Sequence, residues 1–388
     1  MITTGLAKAA TIKVGTWSLM LLLASVHGLI VAVLLARAPR NRTANRCLAL
    51  LLVAVVLLLT PYTIGYAGFY DAYPWLSFAP LRWTLAFGPL MYGYVRHLGA
   101  AHAVPGWWRH YVPAFVQGAY YTVVFLLPAQ AKSDWDDAVH TPIVQTIENL
   151  ALDVSLVAYW IAAWRHMRTY QRWLVDNSAA REDFHLNWLR GFLGAMALVV
   201  VALIAHQTID AVLWLSYFDD FPLYLALSMV VYYLGIEGWR HAGAAYPPMR
   251  DAAPSDVTPT EETPAAGKPA TTHDWAALGR RWAERVAAEG WWRESDLDLA
   301  DLARRLGTNT QYLSRALNEG LGERYSDFIN RQRVEEAQRL LAGTGDVLAI
   351  ANAVGFASKA SFNRAFRAHA GCTPSEYRQK SEAARLNA

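Results

Sequence analysis

Charge is scarce in this chain. Asp, Glu, Lys and Arg make up 17% of 388 residues, where roughly a quarter is ordinary for a soluble domain. Cysteine is scarcer still. Cys47 and Cys372 lie in regions of different character, and neither has a neighbouring ligand at metal spacing. That excludes a disulfide framework and a zinc module. A phosphate-binding Gly-rich loop and a zinc-protease motif are both absent. The pair His97 and His102 resembles one histidine box of a di-iron oxygenase, but the remaining histidines are scattered. A metal site needs a full ligand set, so the pair reads as surface. His206 and Asp210 could act as an acid and a base, yet no nucleophile accompanies them. The sequence therefore points to no catalytic residue, no metal and no cofactor.

What is abundant is apolar. Hydrophobic residues are 54% of the chain, with 16 Trp, 19 Tyr and 13 Phe, which excludes a disordered or collagen-like chain. The net charge of +3 decides little by itself, because its distribution is uneven. Residues 1–241 are mostly apolar, residues 242–273 are rich in Pro, Ala, Thr and acid, and residues 274–388 resemble an ordinary soluble domain. The middle segment cannot build a core and is expected to be a disordered, solvated tether.

A bilayer core takes about 20 apolar residues in a helix. Seven stretches approach this: Val14–Ala36, Cys47–Phe69, Leu76–Val95, Tyr111–Ala129, Ile147–Trp164, Phe192–Leu215 and Phe221–Gly238. The first is too long, and leads too directly into the second, to be a cleaved signal peptide. Arg37, Arg40, Arg42 and Arg46 follow the first stretch, Arg96 and Arg109 the third, Arg165 to Arg190 the fifth, and Arg240 the seventh. The opposite loops carry Asp71, Asp134, Asp136, Asp137, Asp219 and Asp220 with one lysine, Lys132. Basic loops stay cytoplasmic. The expected protein is thus a multi-pass inner-membrane protein with its N-terminus outside and its C-terminal domain in the cytoplasm.

Charged groups inside spans are costly and often functional. Counted from the cytoplasmic ends at a helical rise, Arg82, Asp153 and His206 lie at roughly 18–24 Å, all in the outer half. His206 and Asp210 share a helix face with Gln207. Arg82, Asp153, His206 and Asp210 could form a signal pocket near the outer surface, or a structural ion pair between helices. His27, mid-span, reads as a hydrogen-bonded packing residue.

From Asp274 onward the pattern is helical. Asp298 can cap a helix Leu299–Leu306, Gly307 breaks it, and a second helix runs Thr310–Asn318. Leu302, Leu306, Leu313 and Leu317 face inward, which leaves Gln311, Ser314 and Arg315 outside. The arrangement repeats: helix Val347–Val354, turn Gly355–Ala357, helix Ser358–His369. Phe362 and Phe366 face inward, and Lys359, Asn363, Arg364 and Arg367 outward. An amphipathic helix near Tyr325–Leu341 lies between. Two helix-turn-helix units joined by a helix suit DNA reading. Arg can contact guanine with two hydrogen bonds in the major groove, Lys359 and Arg367 can hold phosphates, and the two reading helices need about 34 Å between them. From Val347 to the end, Lys359, Arg364, Arg367, Arg378, Lys380 and Arg385 face two acidic residues, Glu376 and Glu382.

Several stretches together resemble the DNA-binding domain of AraC-type transcription regulators. They are Leu299-x-x-Leu302-Ala303, Leu313-Ser314-Arg315, Asn330-x-x-Arg333-x-x-x-Ala337 and Ile350-Ala351-x-x-x-Gly355-Phe356. To these add Ser361-Phe362-Asn363-Arg364-x-Phe366 and Gly371-Cys372-Thr373-Pro374-Ser375-x-Tyr377-Arg378. The resemblance implies sequence-specific binding of double-stranded promoter DNA, with both recognition helices in neighbouring major grooves. The apolar half is similar to that of members with a multi-span N-terminal region, through Gly88-Pro89-Leu90-Met91-Tyr92 and Asn187-Trp188-Leu189-Arg190.

The expected class is all-α: a seven-span bundle in the lipid bilayer plus a helical DNA-binding domain. The expected function is a membrane-embedded, non-enzymatic transcription regulator that senses a small-molecule or membrane signal. Homodimerisation on paired half-sites is compatible with this, and RNA polymerase is the partner if the protein activates. The alternatives are a membrane transporter or enzyme with a regulatory tail, and a tail that binds protein instead of DNA.

Overall fold

The computed structural model describes residues 12–100, 106–177, 186–244, 246–247, 249, 274–343 and 345–386. The architecture is all-α, with no β-strand among the described residues. The chain divides into two compact units, residues 1–168 with 186–248, and residues 169–185 with 249–388. Most of the expected tether 242–273 lies outside the described residues, as does His102.

In the first unit, α1 (Thr16–Arg37) and α2 (Arg42–Gly65) form a helical hairpin. Then come α3 (Phe87–Leu98), α4 (Val112–Phe125), α5 (Gln145–Asn177, in this unit as far as residue 168), α6 (Leu186–Leu213) and α7 (Phe221–His241). Among the described residues, five helical stretches have the length and apolarity to cross a membrane: α1, α2, the run Ala129–Leu174 that takes in most of α5, α6 and α7; the count of seven is not confirmed. The third and fourth expected spans are shorter. Helix α3 has 12 residues and α4 has 14, roughly 18 and 21 Å long at a helical rise, against a core of about 30 Å. Pro74 and Pro80 explain part of the loss, since each lacks the amide donor a continuous helix needs. A 3-10 turn at Thr84–Ala86 then leads into α3, and another at Trp107–Tyr111 into α4.

Small residues let α1, α2 and α7 approach closely. A Cβ on Gly28 would lie 2.9 Å from Val231 and from Val56, and one on Gly238 2.7 Å from Leu48. Such seams drive helix packing where lipid supplies no hydrophobic force. His27 sits in this seam and stacks on Tyr232 at 4.5 Å. It packs as expected, but its Nε2 has no hydrogen-bond partner, which corrects the expected bond. The outward faces stay apolar: Leu150 is 65% exposed and Leu198 67%. A water-soluble protein rarely leaves so much apolar surface bare.

The second unit carries α8 (Trp275–Glu289), α9 (Leu299–Arg305), α10 (Thr310–Arg315), α11 (Tyr325–Leu341), α12 (Val347–Ala353), α13 (Lys359–Ala370) and α14 (Pro374–Leu386). One hydrophobic core joins them, and Leu302, Leu306, Leu313, Leu317, Phe362 and Phe366 all belong to it. The central helix α11 matches the expected range.

Candidate nucleic-acid interface

The two helix pairs, α9–α10 and α12–α13, are built alike. After α9 the chain turns at Gly307 with φ 71°, and the Thr308 N–H donates to the Ala303 carbonyl at 2.9 Å. After α12 it turns at Gly355 with φ 89°, and the Phe356 N–H donates to the Ala351 carbonyl at 3.0 Å. Both are left-handed glycine caps that close the last helical turn. Each following helix then starts on a side-chain cap. Asn309 accepts from the Tyr312 N–H at 2.8 Å, and Ser358 from the Ser361 N–H at 3.1 Å. Asp298 caps α9 by accepting from the Asp301 N–H, as expected, and Asp346 caps α12.

On α10, Gln311 and Arg315 are exposed and Ser314 is half-buried. Ser314 Oγ accepts from Asn318 Nδ2 at 3.2 Å. Arg315 is not a loose surface charge. Its Nε and Nη2 donate to the two Glu319 carboxylate oxygens at 2.9 and 3.2 Å, and its guanidinium lies 4.5 Å above the Trp275 ring. The hydrogen bonds it donates to Glu319 raise the pKa of the guanidinium further. Glu319 at i+4 was legible in the sequence; Trp275, a full helix earlier in the chain, was not. The chain reaches this contact because α8 lies against a π stretch, Ala316–Leu321. Glycine makes that approach feasible, since a Cβ on Gly320 would lie 2.1 Å from the Trp275 carbonyl.

On α13, Lys359, Arg364 and Arg367 are exposed and Asn363 is half-buried, while Phe362 and Phe366 are fully buried. The closing motif has a physical reading residue by residue. Gly371 ends α13 with φ 72°. Thr373 and Glu376 exchange bonds, the Thr373 N–H donating to Glu376 and the Glu376 N–H to Thr373 Oγ1. That is a reciprocal cap, and the Thr373 N–H holds the Glu376 carboxyl below its usual range. Tyr377 packs edge-on to Phe366 at 5.5 Å, and Arg378 donates to the Gly345 carbonyl.

In the first unit the four expected signal residues each have their own neighbour. Arg82 Nε lies 3.8 Å from Glu148, and Asp153 accepts from Gln207 at 3.3 Å. His206 lies 3.2 Å from Asp220, and Asp210 accepts from the Leu215 N–H at 3.0 Å. Of the four, Arg82 lines a cavity of about 350 Å³, together with Tyr62, Tyr121 and His140; Asp153, His206 and Asp210 do not line it. Glu148, Tyr62, Tyr121 and His140 were not singled out in the sequence. Glu148 alone carried a signal, as a carboxylate in an apolar stretch.

Residues 302–380 match a family model described as a helix-turn-helix domain. This segment is a helix-turn-helix domain of the AraC type, as its motifs implied. The HTH-type transcriptional regulator RipA of Corynebacterium glutamicum is 38% identical over 79 residues, 20% of this chain and 24% of that protein. Uncharacterized HTH-type transcriptional regulators of Staphylococcus aureus strains MSSA476 and N315 are each 37% identical over 84 residues, 21% of this chain and 11% of theirs. The chain thus spans between a tenth and a quarter of the length of these relatives. No solved structure matches it.

Proposed function

We propose that this protein is a membrane-embedded transcription regulator. Its first unit lies in the bilayer, N-terminus outside, and responds to a signal; its second unit reads promoter DNA from the cytoplasmic side. The observation that carries the reading is the pair of like-built helix pairs on one core. Each presents exposed cations on its second helix, Arg315 in the first and Lys359, Arg364 and Arg367 in the second. Arg315 and Arg364 are the base readers and Lys359 and Arg367 the phosphate contacts, because Arg offers a planar fork and Lys a point charge. Gln311, Ser314 and Asn363 supply further polar contacts. Arg315 must first leave Glu319 and Trp275, so its reading of DNA is an exchange of partners.

The bare apolar faces of α5 and α6 support membrane insertion, and the Arg-rich loops support the orientation. A signal changes DNA binding only to the extent that it favours one state of the protein over another. Two chains on paired half-sites gain affinity from effective concentration, and RNA polymerase is the further partner of an activator. The test is genome-wide DNA crosslinking of the intact, membrane-retained protein beside an Arg315→Ala/Arg364→Ala variant. Discrete peaks that vanish in the variant support the reading. Equal peaks in both overturn the choice of base readers.

A further inference from the structure

The cavity of about 350 Å³ in the first unit is built at three separate costs. Phe78 lines it with a φ of 62°, a left-handed conformation that a bulky residue adopts only when its surroundings demand it. Asp136, His140 and Thr141 line it from a π stretch, Asp136–Val144, that carries Pro142 inside it. Such stretches are frequent at functional sites. Arg82 brings a guanidinium whose Nε is shut off from solvent and has no hydrogen-bond partner. Its one charged neighbour, Glu148 at 3.8 Å, already accepts from the Tyr121 hydroxyl at 2.9 Å.

Several other polar groups at or beside the cavity are already engaged. Lys132 donates to the Trp75 and Ser77 carbonyls at 2.8 and 3.1 Å and so pins the rim. Asp136 accepts from Thr141 Oγ1 at 3.0 Å. His140 Nδ1 meets the Tyr120 hydroxyl at 2.8 Å, which leaves its second ring nitrogen for an occupant. The walls are flat and aromatic: Tyr62, Tyr70, Phe78, Tyr121 and Tyr217. A volume near the lower end of small-molecule sites, aromatic walls and a few convergent polar groups describe a ligand pocket. The free donors of Arg82 are matched by a carboxylate, which a guanidinium takes through two parallel hydrogen bonds.

We infer that this cavity binds a small soluble aromatic carboxylate, with the acid on Arg82 and the ring between the tyrosines. The inference rests on the sensor reading for its purpose, and it gives that sensor the chemical class of its signal. Binding is measured without reference to DNA, so failure here and failure of the regulator reading are separable. The full chain in lipid nanodiscs is titrated calorimetrically with benzoate, phenylacetate and 4-hydroxyphenylacetate. Phenylacetamide, phenethylamine and laurate serve as the uncharged, cationic and lipid-like probes.

The expected result is binding of at least one aromatic carboxylate, about tenfold or more tighter than the amide, for loss of one charge-assisted pair. Arg82→Gln should remove that preference. Because this variant leaves Glu148 unpaired, Arg82→Gln/Glu148→Gln and the cavity-filling Ala79→Trp are tested beside it, with helicity as the check on folding. Both should lose binding. No carboxylate binding at millimolar concentration, equal binding of the amide or the amine, binding of laurate alone, or unchanged binding in the folded variants would each overturn the proposal.

Discussion

Arg333 is 1% exposed and lies at the centre of the DNA-binding unit. Its Nε donates to the Trp292 carbonyl and its Nη2 to the Glu294 carbonyl, both at 2.7 Å, and its guanidinium lies 5.4 Å from the Phe356 ring. Arg333→Met keeps the length of the side chain and removes the charge and the donors. Replacing a buried ion pair by apolar groups can be neutral, because both charges leave together. Here the acceptors are backbone carbonyls and stay behind. A hydrogen bond from a charged donor contributes about 1.5–3 kcal/mol, so losing two costs about 3–6 kcal/mol. That is a large part of the roughly 5–15 kcal/mol that stabilises a domain. For a unit of this size it lowers Tm by roughly 10–25 °C. Thermal and urea melts of the fragment 274–388, followed by far-UV circular dichroism, measure it directly. Arg333→Lys should recover less than half, since a point charge cannot serve both carbonyls in the same geometry. If Arg333→Met melts within about 1 kcal/mol of the parent, water satisfies those carbonyls and the reasoning is wrong.

Glu319→Gln should release Arg315 and raise DNA affinity, with a steeper salt dependence by fluorescence anisotropy; an unchanged isotherm would mean that the Glu319 pair does not compete with DNA. Lys359→Ala and Arg367→Ala should each lower the salt slope by about one unit across all sequences. Arg364→Ala should instead relax base preference at one position by roughly tenfold to a hundredfold. Hydrogen bonds from Arg305 and Arg339 hold Glu294 and Glu336 below 4.5, their usual value. A lowered folded pKa gives stability that is present above the unfolded value and lost as pH falls through the folded one. Melts at about pH 6 and pH 3.5 should therefore differ, and Glu336→Gln should shrink the difference.

The caps, turns and inward faces of the DNA-binding unit were legible because they are local. Asp298, Gly307 and Gly355 act within one turn of their own position, and Phe362 and Phe366 follow helical periodicity. The apolar unit was legible at the level of composition and not of geometry. Leu76–Val95 is apolar enough to suggest a span, yet Pro80 lacks an amide donor, Phe78 turns with a φ of 62°, and regular α-helix begins only at Phe87. Arg82 was recognisable as a costly charge. Its surroundings were not, because Tyr62, Tyr121, His140 and Tyr217 come from four distant segments. Depth suggests Asp153 and His206 as its neighbours, and a shared helix face adds Asp210 to His206. Depth fixes one coordinate of a helix residue and leaves its direction around the axis open.

The same distinction applies to what joins the two helix pairs. A short stretch, Trp291–Glu294, touches both. Arg333 from α11 binds its carbonyls at Trp292 and Glu294. Arg305, the last residue of α9, binds the Glu294 carboxylate at 2.6 and 2.7 Å, which ties down the first helix pair. The turn of the second pair lies against the same backbone: a Cβ on Gly355 would sit 2.5 Å from the Arg293 carbonyl. Gly355 is thus required twice, by its positive φ and by this approach. Arg293 itself stacks on Trp292 at 4.3 Å and lies 3.6 Å from Glu336 of α11. Three elements therefore converge on these four residues. Neighbouring major grooves impose a fixed spacing on their readers. The Arg333 bonds are the buried part of this junction, and buried polar networks lose more than the sum of their parts when one member leaves. On the proposed reading, a signal thus acts most economically on where, or in what pairing, this domain is presented, and on the Glu319 and Trp275 contacts that hold Arg315.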